Sequence, residues 1–155
     1  MSTKVLSIII PMYNMENYIG KCLQSLLDIP TECLESIDII VVNDGSKDQS
    51  LRIATSYQKK YPEVIRVIDK ENGNYGSCIN AGLAKALGTY VKVLDSDDYF
   101  SSVGLSAILE KISSIPVMDM IITDFDIINA NDEITNHVSF HLKKEKCLLF
   151  NDIWK

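Results

Sequence analysis

Three carboxylates stand within four residues at Asp95-Ser96-Asp97-Asp98, directly after the apolar run Tyr90-Val91-Lys92-Val93-Leu94. Carboxylates crowded this closely repel one another and resist burial, so at the end of a core strand they ask for a cation or a hydroxyl-rich ligand. The chemistry on offer is that of a metal or sugar site. Taken alone, the four residues read more plainly as an acidic turn in which Asp98 caps the next helix. The polar segments upstream weigh against that plainer reading.

Composition limits what those segments can be. The chain has 155 residues, 46% of them hydrophobic, and a mean hydropathy near zero, which fits a globular domain with enough chain for a core. A net charge of -6 and a pI of about 4.8 argue against a binder of the nucleic-acid backbone. The cysteines Cys22, Cys33, Cys78 and Cys147 form no CxxC pair and have no histidine cluster beside them, so neither a disulfide framework nor a zinc site is indicated, and a cytoplasmic setting is expected. The apolar run from Val5 to Ile10 is too short for a signal-peptide core, and no stretch is long enough to span a bilayer.

Apolar runs of strand length alternate with segments of helical period. Val5–Ile10 and Ile37–Val42 are nearly continuous β-branched runs, as expected of strands covered on both faces of a parallel sheet, and Val64–Ile68 and Tyr90–Leu94 are shorter candidates. Ile19, Cys22, Leu23, Leu26 and Leu27 line one side of a helix that Asn14 could cap. Ser46-Lys47-Asp48-Gln49 reads as a capping box for a second helix, with Ala54, Tyr57 and Tyr61 on one face. A third helix from near Ser77, with Ile79, Leu83, Ala86 and Leu87 inward, stops at Gly88; a fourth carries Leu105, Ile108, Leu109 and Ile112 and leads into a strand around Val117–Thr123. The alternation predicts an open, mostly parallel α/β sheet with helices on both faces. Beyond Asp126 a hairpin turn at 127–134 and a strand-like stretch through Val138, Phe140 and Leu142 are expected. Residues 1–155 are expected to form one domain, truncated at its C-terminus, where the apolar stretch Cys147 to Trp154 invites self-association.

The polar segments all follow strands. Pro11-Met12-Tyr13-Asn14 follows the first, Asn43-Asp44-Gly45-Ser46 the second, Asp69 to Gly76 the third, and the acidic cluster the fourth. Carboxyl ends of parallel strands share one edge, which is where open α/β folds bind ligands. Each segment has a bland reading of its own: Asn-Asp-Gly-Ser is a common turn, Tyr13 could be a half-buried aromatic, and Asn72-Gly73-Asn74-Tyr75-Gly76 could be a loop with positive φ angles. Neither GxGxxG nor GxxxxGK[ST] occurs. A phosphate would then be held through a metal, for which Mg²⁺ or Mn²⁺ with a few carboxylate oxygens is suited.

In order and spacing, Ser7 to Asn14, Ile40 to Asp48, Asn72 to Gly82 and Leu94 to Asp98 together resemble the family 2 glycosyltransferases of the GT-A fold, over residues 5 to 130. The resemblance implies a nucleotide-sugar donor, most often UDP-linked, bound with Mg²⁺ or Mn²⁺. It also implies inverting transfer to a saccharide or lipid-linked acceptor, as in cell-envelope polysaccharide biosynthesis. By the same resemblance Pro11, Tyr13 and Asn14 pack against base and ribose, and Asp44 accepts a hydrogen bond from the base imide N–H. Asn74 lies along base or diphosphate, Asp95 with its neighbour Ser96 lies at the ribose, and Asp97 holds the metal. Many relatives carry an Arg where this chain has Ile79. The family's general base is expected downstream of these residues, outside the chain, with Asp124 and Asp126 the candidates within it. Two other classes stay open: an Asp-based phosphatase with Asp95 as nucleophile, which the following Asp98-Tyr99 disfavours, and a non-catalytic nucleotide-sugar-binding domain.

Overall fold

The computed structural model describes residues 4–116 and 118–140. Chain contacts divide the protein into two compact units, Met1–Pro116 and Val117–Lys155.

The first unit is built on four parallel strands, β1 (Leu6–Met12), β2 (Ile37–Asp44), β3 (Ile65–Lys70) and β4 (Tyr90–Val93), in the order β3-β2-β1-β4. Every residue of β1 and β2 is buried, which is why their sequences run apolar without alternation. Ile8, Ile10, Ile39 and Val41 point into one core with α1 (Ile19–Leu27), α3 (Ser50–Lys60) and α5 (Ser102–Ser114); Ile9, Ile40 and Val42 point into the other with Cys78 of α4 (Asn74–Leu83). The sheet is therefore covered on both faces, as the alternating pattern predicts. The chain runs outward from β1 to β3 and then crosses to the far side of β1 for β4, which places the reversal of strand order at the β1–β4 pair.

Several boundaries differ from the sequence reading, each for a local reason. The first helix begins at Ile19 with Tyr18 at its cap and no side-chain cap bond, because Asn14 adopts φ 54° and spends its Oδ1 on the Lys47 N–H. The capping box at Ser46 does not form. Ser46 Oγ accepts instead from the Asn14 N–H, and helix α3 opens at Ser50, whose N–H donates to Asp48 Oδ1. Helix α4 starts at Asn74 and ends at Leu83, short of Gly88, so Leu83 and Leu87 are exposed while Cys78 and Gly82 face the sheet. Ser101, not Asp98, caps α5: its Oγ accepts from the Gly104 N–H. A four-residue helix α2 (Thr31–Leu34), which carries no legible pattern, turns the chain into β2.

Gly82 marks the closest approach of helix to sheet. A Cβ built there would lie 2.5 Å from Ile9 Cγ2, inside the packed core. Gly82→Ala is expected to lower stability by about 1–3 kcal/mol, the usual cost of overpacking, measurable as a lower denaturation midpoint at unchanged m-value.

In the second unit the hairpin forms from β5 (Phe125–Ile128) and β6 (Ile134–Val138), antiparallel around a turn at 129–133, with the Phe125 and Phe140 rings 6.4 Å apart. The strand expected around Val117–Thr123 is not there: residues 118–123 take no regular structure, and Met120, Ile121 and Ile122 are exposed. A short apolar run is a strand only where an edge is available to pair with it. Leu142 and the stretch Cys147 to Trp154 lie outside the described residues.

Candidate functional site

All four polar segments leave the sheet at its carboxyl edge, and hydrogen bonds between them join each to the next. The first two are tied reciprocally: the Asn14 N–H donates to Ser46 Oγ at 3.0 Å and the Lys47 N–H to Asn14 Oδ1 at 2.8 Å. Three further bonds continue the seam, Met15 N–H to Ser50 Oγ, Glu16 N–H to Asp48 Oδ2 and Gln49 N–H to a Glu16 carboxylate oxygen. Pro11 is buried at the end of β1, while the Tyr13 ring is half exposed above the edge.

The second and third segments meet at Asp44, the last residue of β2, which is only 4% exposed. Lys70 Nζ donates to its Oδ1 at 2.6 Å, the Gly73 N–H donates to the same oxygen at 2.8 Å, and Asn72 Nδ2 donates to its backbone oxygen at 3.0 Å. The Lys70 ammonium foremost, together with the Gly73 N–H, outweighs burial and holds the Asp44 carboxyl below the usual carboxylate range. Asp44 is thus an ionised acceptor held in place. The adjoining Gly45 has φ 71°, and a Cβ there would meet the Asn72 nitrogen at 3.1 Å, so the turn that presents Asp44 requires glycine. Beneath it, burial first and then the Asp44 charge raise the Cys78 thiol.

The third and fourth segments meet where the Tyr75 hydroxyl donates to Asp95 Oδ1 at 2.7 Å. Asn74, just before it, is exposed with φ 69°. Asp95, Asp97 and Asp98 are exposed around a turn closed by the Asp98 N–H on the Asp95 oxygen, and Ser96 is buried inside it. Partial burial first, then Asp97 and Asp95, push the Asp98 carboxyl up. Burial first, and then the charges of Asp98 and Asp97, drive the Cys22 thiol to about 12. The cluster is therefore a concentration of negative potential facing outward at the β1–β4 reversal. Among the described residues no group of three or more metal-ligating side chains is arranged to enclose a cation.

The sequence-derived residues Pro11, Tyr13, Asn14, Asp44, Asn74, Asp95, Ser96 and Asp97 thus all fall on one edge of the first unit. Asp124 and Asp126 belong to the second unit. Asp124 accepts from Ser139 Oγ and the Phe140 N–H, and Asp126 pairs with His137 Nδ1 at 2.6 Å. The reading missed Lys70 and Tyr75. A single lysine ending a strand and a single tyrosine opening a helix carry no motif, and only strand register could have placed Lys70 beside Asp44, its partner in the β2–β3 pairing.

The family model described as "Glycosyl transferase family 2" matches residues 7–152. The uncharacterized glycosyltransferase EpsJ of Bacillus subtilis (strain 168) is 44% identical over 107 residues, covering 69% of this chain and 30% of the relative. The minor teichoic acid biosynthesis protein GgaB of the same organism is 41% identical over 95 residues, covering 61% of this chain and 10% of the relative. Among solved structures, S. aureus TarS 1-349 in complex with UDP-GlcNAc superposes with a TM-score of 0.62 at 33% identity, covering 70% of this chain and 31% of that one. The chain thus spans about a third or less of these relatives. The family's pattern runs through the strands and loops that build this edge, and the chain belongs to glycosyl transferase family 2.

Proposed function

We propose that the carboxyl edge of the sheet binds a nucleoside diphosphate sugar, with UDP as the nucleotide, and serves inverting transfer of the sugar to a hydroxyl of a saccharide or lipid-linked acceptor in cell-envelope biosynthesis. The observation that carries this reading is the joining of four loops at one edge. It leaves an anchored acceptor, Asp44, and an outward-facing acidic turn, Asp95 to Asp98, on the same surface. The UDP-GlcNAc complex of TarS and the teichoic acid role in the name of GgaB support the nucleotide and the setting.

In this reading Tyr13 offers its ring to the base, Asp44 accepts from the uracil imide N–H, and Pro11 and Asn14 fix the loop that carries Tyr13. Asn74 lies along the diphosphate, and Asp95 with Ser96 lies at the ribose. Asp97, exposed and with no side-chain partner among the described residues, is left for a cation. The donor set suits Mg²⁺ or Mn²⁺, which take one or two carboxylates and fill the remaining positions with phosphate oxygens and water. When bound, such an ion neutralises the charge that develops on the diphosphate leaving group. Asp97 holds that charge-balancing position, while Asp44 and Tyr13 fix the nucleotide so that the anomeric carbon faces the acceptor side.

Calorimetric titration of UDP with and without Mn²⁺ tests the assignment. Wild type is expected to bind more tightly with the ion, and Asp97→Asn is expected to lose that gain while keeping the wild-type melting temperature. Binding indifferent to the ion in wild type would remove Asp97 from the site. A non-catalytic nucleotide-sugar-binding module uses the same residues and is separated from the enzyme reading by single-turnover transfer.

A further inference from the structure

We infer that Tyr75 is a positioning residue that acts through Asp95, holding that carboxylate in the orientation in which it receives the ribose hydroxyls of a bound nucleotide. The inference rests on the reading above, in which Asp95 lies at the ribose.

Tyr75 sits in the first turn of α4, directly after Asn74 with its left-handed backbone, so its ring is carried out over the edge and is 53% exposed. A tyrosine that exposed adds little packing. Among the described residues its side chain makes one hydrogen bond, the 2.7 Å bond to Asp95 Oδ1, which joins the third loop to the fourth. Asp95 needs such an attachment, because Asp97 and Asp98 follow within the same turn and their charges push an unrestrained carboxylate toward solvent. A bond to one carboxylate oxygen leaves acceptor capacity for a ligand hydroxyl while removing rotational freedom that binding would otherwise cost. The hydrogen bond to Asp95, with burial and the Asp95 and Asp98 charges behind it, raises the phenol to about 12, so it remains a donor throughout the neutral range.

A tie that merely steadied the loop would affect every nucleotide alike, whereas one acting through Asp95 affects only nucleotides with ribose hydroxyls. The test compares UDP with 2′,3′-dideoxyuridine diphosphate at one fixed Mg²⁺ concentration, in wild type and Tyr75→Phe, by calorimetry. Wild type is expected to prefer UDP, and Tyr75→Phe to lose about fivefold in UDP affinity and nothing for the dideoxy nucleotide. Equal UDP affinity in wild type and variant, or the same loss for both nucleotides, would overturn the role of Tyr75 and leave Asp95 at the ribose. Wild type binding both nucleotides equally would overturn it too, by removing Asp95 from the ribose, and that outcome is visible before any variant is made.

Discussion

Replacing Asp44 by alanine is expected to weaken UDP binding by about 1–3 kcal/mol, roughly 5- to 150-fold, whether or not Mn²⁺ is present. The hydrogen bond lost is to the base and not to the diphosphate, so the penalty should be the same for uridine, UMP and UDP. The loss also frees Lys70, whose ammonium sits 2.6 Å from Asp44 Oδ1 and then faces the base pocket without its counter-charge. Asp44→Asn also removes the counter-charge but keeps the shape and an acceptor oxygen, so its difference from Asp44→Ala reads the hydrogen bond to the base. An amide can offer a donor where a carboxylate cannot, so this variant should narrow the wild-type preference for UDP over CDP. Titration calorimetry with the four ligands reads all of this, and wild-type affinity in Asp44→Ala would return Asp44 to a purely structural turn. Because its folded carboxyl lies below the ordinary value of 3.8, Asp44 contributes stability that is present above that value and is lost as pH falls through the lowered one. Nucleotide affinity should therefore stay flat from about pH 5 to pH 8 as far as this group is concerned.

The largest effect on stability is expected at the opposite edge of the sheet. Asp38, 2% exposed at the start of β2, receives both forks of Arg66 from β3 and the Ser7 hydroxyl from β1 at 2.8 Å. Ser7 Oγ in turn accepts from the Leu87 and Gly88 N–H groups that lead into β4. One carboxylate thus joins the amino ends of all four strands. Asp38→Ala should cost about 3–5 kcal/mol, because it takes the counter-charge from a guanidinium that keeps only the Lys85 carbonyl and leaves the buried Ser7 hydroxyl proton without its acceptor. The lower end is expected, since the Arg66 side chain is 35% exposed and regains water. Urea denaturation measures it, and a loss of less than about 1 kcal/mol would show that the network is a surface pair in effect. Nucleotide affinity per folded molecule should not change.

The sheet was legible because burial on both faces leaves a direct trace: Ile8-Ile9-Ile10 and Ile39-Ile40-Val41-Val42 are apolar at every position, whichever face the side chain takes. The edge was legible because strand ends follow from strands, which places Asp44 and Asp95 before any contact is known. What failed were features decided by long-range partners. Ser46 has the spacing of a cap, yet its hydroxyl serves Asn14, a residue 32 positions away. Leu83 and Leu87 continue the period of α4 on paper, but the helix ends where Gly82 meets Ile9. Lys70 and Tyr75 gain their meaning only from Asp44 and Asp95, and nothing in a lone lysine or tyrosine announces its partner.

The central claim is that the base is read by Asp44 and the diphosphate lies over the acidic turn. A crystal structure of the protein grown with UDP and Mn²⁺ tests it most directly. The account predicts the uracil imide nitrogen within hydrogen-bond distance of an Asp44 carboxylate oxygen, the ring against Tyr13, and the ion between Asp97 and the diphosphate. UDP bound with its base away from Asp44, or with its diphosphate away from the turn at Asp95 to Asp98, would contradict it.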